Sequence, residues 1–148
     1  MANQATVTRA RPDEGIPFAR RHDPAIREQL SGPGLRTFLN IAGEWGLSVD
    51  QQRLLLGGVA PSTYHKWKAG AVGPLSYDQL ERLSLVLGIY KALKLLFADD
   101  ASGVRWLRSA NTDMPFAGGS PLERMLRGSI DDLYAVRRYL DGWRGGWP

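Results

Sequence analysis

From Pro61 to Ala69 the chain reads PSTYHKWKA, and its polar residues are of the types that contact nucleic acid. Ser62, Thr63 and His65 carry short hydrogen-bonding side chains, and Lys66 and Lys68 add two cations. Tyr64 and Trp67 are three residues apart, which on a helix puts them on one face. With that pair turned inward, the other five are left mainly on other faces. A helix divided in this way suits a major groove, with its N-terminal half at base edges and its lysines at phosphates. Gln51 and Gln52 open the preceding helix, where backbone N–H groups and an amide side chain suit a phosphate. A helical hairpin that only builds core is the plainer reading of the same pattern.

Other chemistry is poorly supplied. The chain has two histidines and no cysteine, and it lacks both the phosphate-loop and HExxH patterns. His65 lies on the candidate recognition helix and His22 near the N-terminal arm, so the sequence indicates no His–carboxylate pair. Asp99–Asp100 and Asp131–Asp132 read as helix-start charges rather than paired acids. No catalytic residue, metal ligand or cofactor is expected, and the chain reads as a non-enzyme. The lack of cysteine rules out disulfides and agrees with a cytoplasmic home. No apolar run approaches the ~20 residues that span a bilayer, and MANQATVTRARPDEG has no signal-peptide core.

Charge is unevenly spread along the 148 residues, whose formal net charge is +4. Residues 1–30 carry five Arg against four acidic residues, and residues 31–97 seven Lys or Arg against four. Residues 98–148 carry seven of each. The surplus therefore sits mainly around the candidate recognition helix, as a phosphate-facing surface requires.

The elements that would position this helix read as an all-α protein. Ser48 caps a short helix bearing Val49, Leu54, Leu55 and Leu56; Gly57–Gly58 breaks it, and Pro61 opens the next. Helix, glycine turn and short helix are the parts of a helix-turn-helix. Upstream, residues 1–30 form an arm with a short helix from His22 to Leu30, capped by Asp23. Gly32–Pro33–Gly34 punctuates the chain, and an amphipathic helix from Leu35 to Trp45 follows. Downstream, Ser76 and Gln79 form a capping box on a helix whose apolar residues exceed one face. Either that helix is central to the bundle or it forms a dimer interface, and pairing to two half-sites favours the interface.

A further unit spans residues 99–148. It holds a helix around Val104, Trp106 and Leu107, with Arg105 and Arg108 outward, and a loop from Asn111. Ser120–Pro121–Leu122–Glu123 then opens another helix with a capping box. A last helix ends near Leu140, because DGWRGGWP is glycine-rich.

The order WLRSANTDMPFAGGSPLERMLRG, Trp106 to Gly128, resembles the toxin-binding domain of the Xre/MbcA/ParS antitoxin family. LSVDQQRLLLGGVAPSTYHKWKAG resembles the Xre-type helix-turn-helix that precedes that domain, so the likeness covers roughly residues 35–148. It implies two domains, a DNA-binding and dimerising one over 31–98 and a toxin-binding one over 99–148. It also implies an antitoxin of a RES-domain toxin that consumes NAD⁺, blocking that toxin's active site and repressing its own operon. The expected partners are the toxin and operator DNA, with a homodimer inside a hetero-oligomeric complex.

The motif residues Trp106, Leu107, Pro115, Phe116, Gly118, Gly119, Pro121 and Leu122 would mostly shape the domain. Toxin contact is expected from Arg137, Arg138, Tyr139, Asp141, Trp143, Arg144 and Trp147, since exposed Trp and Arg anchor interfaces. The rival readings are a tail folded onto its own domain, and a stand-alone repressor whose C-terminal part binds a ligand or only dimerises.

Overall fold

The computed structural model describes residues 23–144. Seven α-helices and no strands occur among them: α1 (Pro24–Trp45), α2 (Val49–Leu55), α3 (Pro61–Lys68), α4 (Tyr77–Leu96), α5 (Asp100–Arg108), α6 (Pro121–Met125) and α7 (Ile130–Arg144). The all-α expectation holds.

Helix α1 departs from the sequence reading, because it runs unbroken through Gly32–Pro33–Gly34. Asp23 caps it as expected, its carboxylate accepting from the Ala25 N–H at 2.9 Å, and Pro24 takes the first turn. An internal proline costs a helix about 3 kcal/mol. Burial opposes that cost: Leu35, Phe38, Ile41, Ala42 and Trp45 are all inside, and each large apolar side chain contributes about 1.5–3 kcal/mol. Ser31 also holds the segment in place. Its buried hydroxyl donates to the Arg27 carbonyl at 2.5 Å and accepts the Leu75 N–H at 2.9 Å. The helix ends at Gly46, φ 67°, where the Leu47 N–H returns to the Ala42 carbonyl at 2.9 Å. That left-handed stop is one glycine makes without strain.

Helix α4 is the centre of the molecule. Leu80, Leu83, Leu85, Val86, Ile89, Ala92 and Leu93 are buried around more than one face. Helices α1 and α7 cover much of it, so most of its apolar surplus is accounted for within one chain, while Leu83 and Leu87 also line an open groove beside α1 and Leu95 is exposed. Helix α1 lies parallel to it. Leu75 meets Ser31 near their starts, the Trp45 and Tyr90 rings lie 6.4 Å apart further on, and Lys94 pairs with Glu44 at 3.2 Å. On α7's side, Arg137 lies against Gly88, where an added Cβ would sit 2.6 Å from Nη1. The missing side chain is what lets the two helices approach.

Two arginines tie the helix-turn-helix region to the later helices. Buried Arg82 donates through Nε to Asp78 at 2.9 Å and through Nη1 to the Gly128 carbonyl at 3.0 Å, with the Leu55 carbonyl at 3.5 Å. Arg108 is exposed, as expected, but its guanidinium also reaches back onto the end of α1. It reaches the Trp45 carbonyl at 3.0 and 2.6 Å and the Gly46 carbonyl at 2.9 Å. These carbonyls have no partner inside the helix, so the guanidinium caps α1 from the far part of the chain. One continuous core results, running from Leu35 to Leu140.

Candidate functional site

The helix-turn-helix is set by a buried hydrogen-bond chain. The Gln52 amide donates to the Leu47 carbonyl at 3.0 Å, and its oxygen accepts the Tyr64 hydroxyl at 2.5 Å. Tyr64 is fully buried, its ring 6.3 Å from that of Trp67 in an edge-on contact. Burial pushes its phenol up to about 12, because desolvation penalises the phenolate. The turn between α2 and α3 is closed by Gly57 and Gly58, at φ 92° and 83°, and by Arg53, whose Nε donates to the Val59 carbonyl at 2.6 Å. These contacts fix α3 against α2.

With Tyr64 and Trp67 inward, α3 leaves Ser62, Thr63, His65, Lys66 and Lys68 exposed together. The two glutamines behave differently. Gln51 completes a capping box on α2, its Oε1 accepting the Ser48 N–H at 2.9 Å while Ser48 Oγ accepts the Gln51 N–H at 3.1 Å. Gln52 is 8% exposed. Sequence reasoning placed it at a phosphate, and the structure turns it inward to hold Tyr64. The reason is register: a polar residue beside Leu55 and Leu56 faces the core when an acceptor and a donor are waiting there.

The second site lies around α7. Helix α7 continues through Asp141, Gly142, Trp143 and Arg144 instead of ending near Leu140. Two contacts one turn apart support the extension: the Tyr139 and Trp143 rings at 5.9 Å and the Arg137–Asp141 ion pair at 3.3 Å. Such i, i+4 pairs offset the helix penalty of a single glycine.

The residues expected here divide. Trp143 is 47% exposed, and Arg138 and Asp141 are exposed. Arg138 sits 5.4 Å over the Tyr134 ring, and Arg137 is half-buried against α4. Tyr139 is a correction. It is buried, stacked 5.9 Å from Trp106 and edge-on to Phe116 at 4.9 Å. Its hydroxyl donates to Asp113 Oδ2 at 2.6 Å, and desolvation first, then that bond, raises its pKa. Its place is structural, because it falls on the same stripe as Val136 and Leu140. The Arg144 side chain and the whole of Trp147 lie outside the described residues, as do Arg9, Arg11, Arg20, Arg21 and His22 of the arm.

The motif residues of the second unit mainly face inward: Leu107, Phe116, Pro121 and Leu122 are buried and Trp106 is half-buried. Ser120 and Glu123 form the expected capping box, as do Ser76 and Gln79. Arg124 joins Asp132 at 2.7 Å to the Pro115 carbonyl at 3.1 Å. Sequence reasoning missed Met114, a residue 76% exposed beside Asp113. The signal was an apolar residue directly after the polar run Asn111–Thr112–Asp113. No group of three or more metal-ligating side chains gathers among the described residues, and no described helix is long and apolar enough to cross a membrane.

A helix-turn-helix with a polar outer face, joined to a compact helical unit bearing an exposed tryptophan, defines a two-part binding protein. Residues 24–88 match the antitoxin Xre-like helix-turn-helix domain, and residues 92–146 match the antitoxin Xre/MbcA/ParS C-terminal toxin-binding domain. The chain belongs to this antitoxin family. It is also similar to the uncharacterized protein y4oB of Sinorhizobium fredii, 46% identical over 112 residues, covering 76% of this chain and 84% of that protein.

Proposed function

We propose that this chain neutralises a RES-domain toxin that consumes NAD⁺, and that it represses its own operon through α3. In this reading Ser62, Thr63 and His65 meet base edges and Lys66 and Lys68 meet phosphates. Gln51 stays near the backbone contact at the start of α2, and Gln52 acts only by holding Tyr64. The toxin is gripped by residues 99–148, with Arg138, Asp141 and Trp143 on the contact face and the segment beyond α7 reaching the active site. Arg137 and Tyr139 support that face from below. The chain acts by binding, without a reaction of its own, in the cytoplasm where DNA and NAD⁺ are both found.

The observation that carries this reading is the division of α3, with its two aromatic residues inward and every polar residue exposed, in one chain with a toxin-binding unit. A homodimer would present two such helices to two half-sites. The open apolar groove of about 320 Å³ between α1 and α4, lined by Leu30, Phe38 and Leu87 among others, supports self-association. Co-expression with the neighbouring gene tests the function: the full chain is expected to restore growth and to co-purify with the toxin. In a gel shift on upstream DNA, Lys66→Glu/Lys68→Glu is expected to abolish binding with an unchanged melting temperature. Unchanged DNA binding by that variant refutes the assignment of α3, and failure to capture the neighbour refutes the toxin reading.

A further inference from the structure

We infer that the loop from Asn111 to Phe116 forms a second half of the toxin-binding surface, with Met114 as an anchor beside Trp143. This rests on the reading of residues 99–148 as the part that grips toxin. Met114 is the most exposed large apolar residue among those described, at 76%, and Trp143 is 47% exposed. Side chains of these two kinds anchor interfaces, the thioether because it adapts to irregular pockets and the indole because of its area.

The loop holds Met114 in a defined frame. The Gly118 N–H donates to the Asn111 carbonyl at 2.7 Å, and the Asn111 N–H to the Gly119 carbonyl at 3.0 Å. Inside this pair the Asp113 N–H donates to Asn111 Oδ1 at 2.9 Å, and Arg124 holds the Pro115 carbonyl. With the backbone already fastened, only the rotamers of Met114 remain to be ordered when a partner covers it.

The same frame is fastened to the end of α7. The Tyr139 hydroxyl donates to Asp113, the residue before Met114, and the Tyr139 ring contacts the Trp143 indole. Loop and helix end therefore meet at a single phenol, and their exposed apolar side chains flank that junction. Both lie within the residues matching the toxin-binding domain. The partner chemistry that fits is a protein surface with an apolar recess for a thioether and an indole, rimmed by donors that answer the exposed Asp113 carboxylate.

Calorimetric titration of the purified full-length chain with the toxin encoded beside its gene tests this. Met114→Glu and Trp143→Ala are each expected to weaken binding about tenfold or more, the scale of interface anchors. Leu95→Glu, at a residue 67% exposed on α4, is expected to stay within about twofold of wild type. Met114→Glu is also expected to keep the wild-type melting temperature and affinity for upstream DNA. Wild-type affinity in Met114→Glu, with Trp143→Ala weakened, overturns the loop's role and leaves the helix in place. No binding by the wild-type chain overturns the toxin reading and this inference with it. A fall in the mass of the free chain on Met114→Glu, with toxin affinity unchanged, assigns the patch to self-association and overturns the inference.

Discussion

Replacing Tyr64 by Phe removes one oxygen from the protein and tests how α3 is held. The ring keeps its packing against Trp67, while Gln52 Oε1, 8% exposed as a residue, loses the hydroxyl that meets it at 2.5 Å. A buried acceptor left without its donor costs about 1–3 kcal/mol. Water has little access at this depth, so the middle of that range, about 2 kcal/mol, is the expected loss. For a chain of this length the melting temperature would fall by about 6–8 °C. Urea unfolding followed by circular dichroism at 222 nm measures the loss directly.

The double variant Gln52→Met/Tyr64→Phe removes both partners and is expected to be less destabilised than the sum of the singles, by about 1–2 kcal/mol. The pH dependence follows with a definite sign. The phenol is raised from 10.0 to about 12, so folding favours its neutral form. Its contribution is complete below pH 10 and is lost as pH rises through about 12. Tyr64→Phe is expected to lack that alkaline loss. DNA affinity should fall with stability, because α3 is positioned through Gln52. A Tyr64→Phe protein within about 0.5 kcal/mol of wild type refutes the claim that this bond holds the helix-turn-helix together.

Two other substitutions probe the frame. Arg108→Gln is expected to cost about 1–2 kcal/mol by uncapping the Trp45 and Gly46 carbonyls, read as a lower urea midpoint with an unchanged slope. Asp99 accepts the Ser102 N–H at 2.7 Å, and that backbone bond holds its carboxyl below the usual value. Its stabilisation is therefore present above the ordinary carboxylate pKa and lost as pH falls through the depressed one. Asp99→Asn is expected to flatten the acid limb of a melting-temperature profile, and an identical limb refutes the assignment.

Local signals were legible in the sequence wherever neighbours in the chain decide the outcome. Ser76 with Gln79, Ser120 with Glu123, and the inward pairing of Tyr64 with Trp67 needed only spacings of three. The differences arise where a distant partner decides. Gly32–Pro33–Gly34 reads as a stop until α4 lies alongside, and Arg108 reads as solvated until the end of α1 is beside it. Gln52 and Tyr139 were assigned to surfaces because their polar ends suggested contacts outside, whereas each finds its partner within the fold. Gly142 reads as a breaker until the Trp143 ring leans on that of Tyr139. Met114 carried too weak a pattern in one loop to be singled out.

The placement of α4 has a consequence for how the molecule ages. Because α1 and α7 both lean on this one helix, while its Arg82 bonds the Leu55 and Gly128 carbonyls and Arg108 joins α5 to the end of α1, neither half is a detachable module. A nick between α4 and α5 would leave α7 held on α4 by non-covalent contacts alone, and departure of that fragment would bare the apolar face of the helix on which α1 also rests. Under the proposed function, loss of the C-terminal part would therefore weaken the DNA-facing half as well as the toxin-facing one.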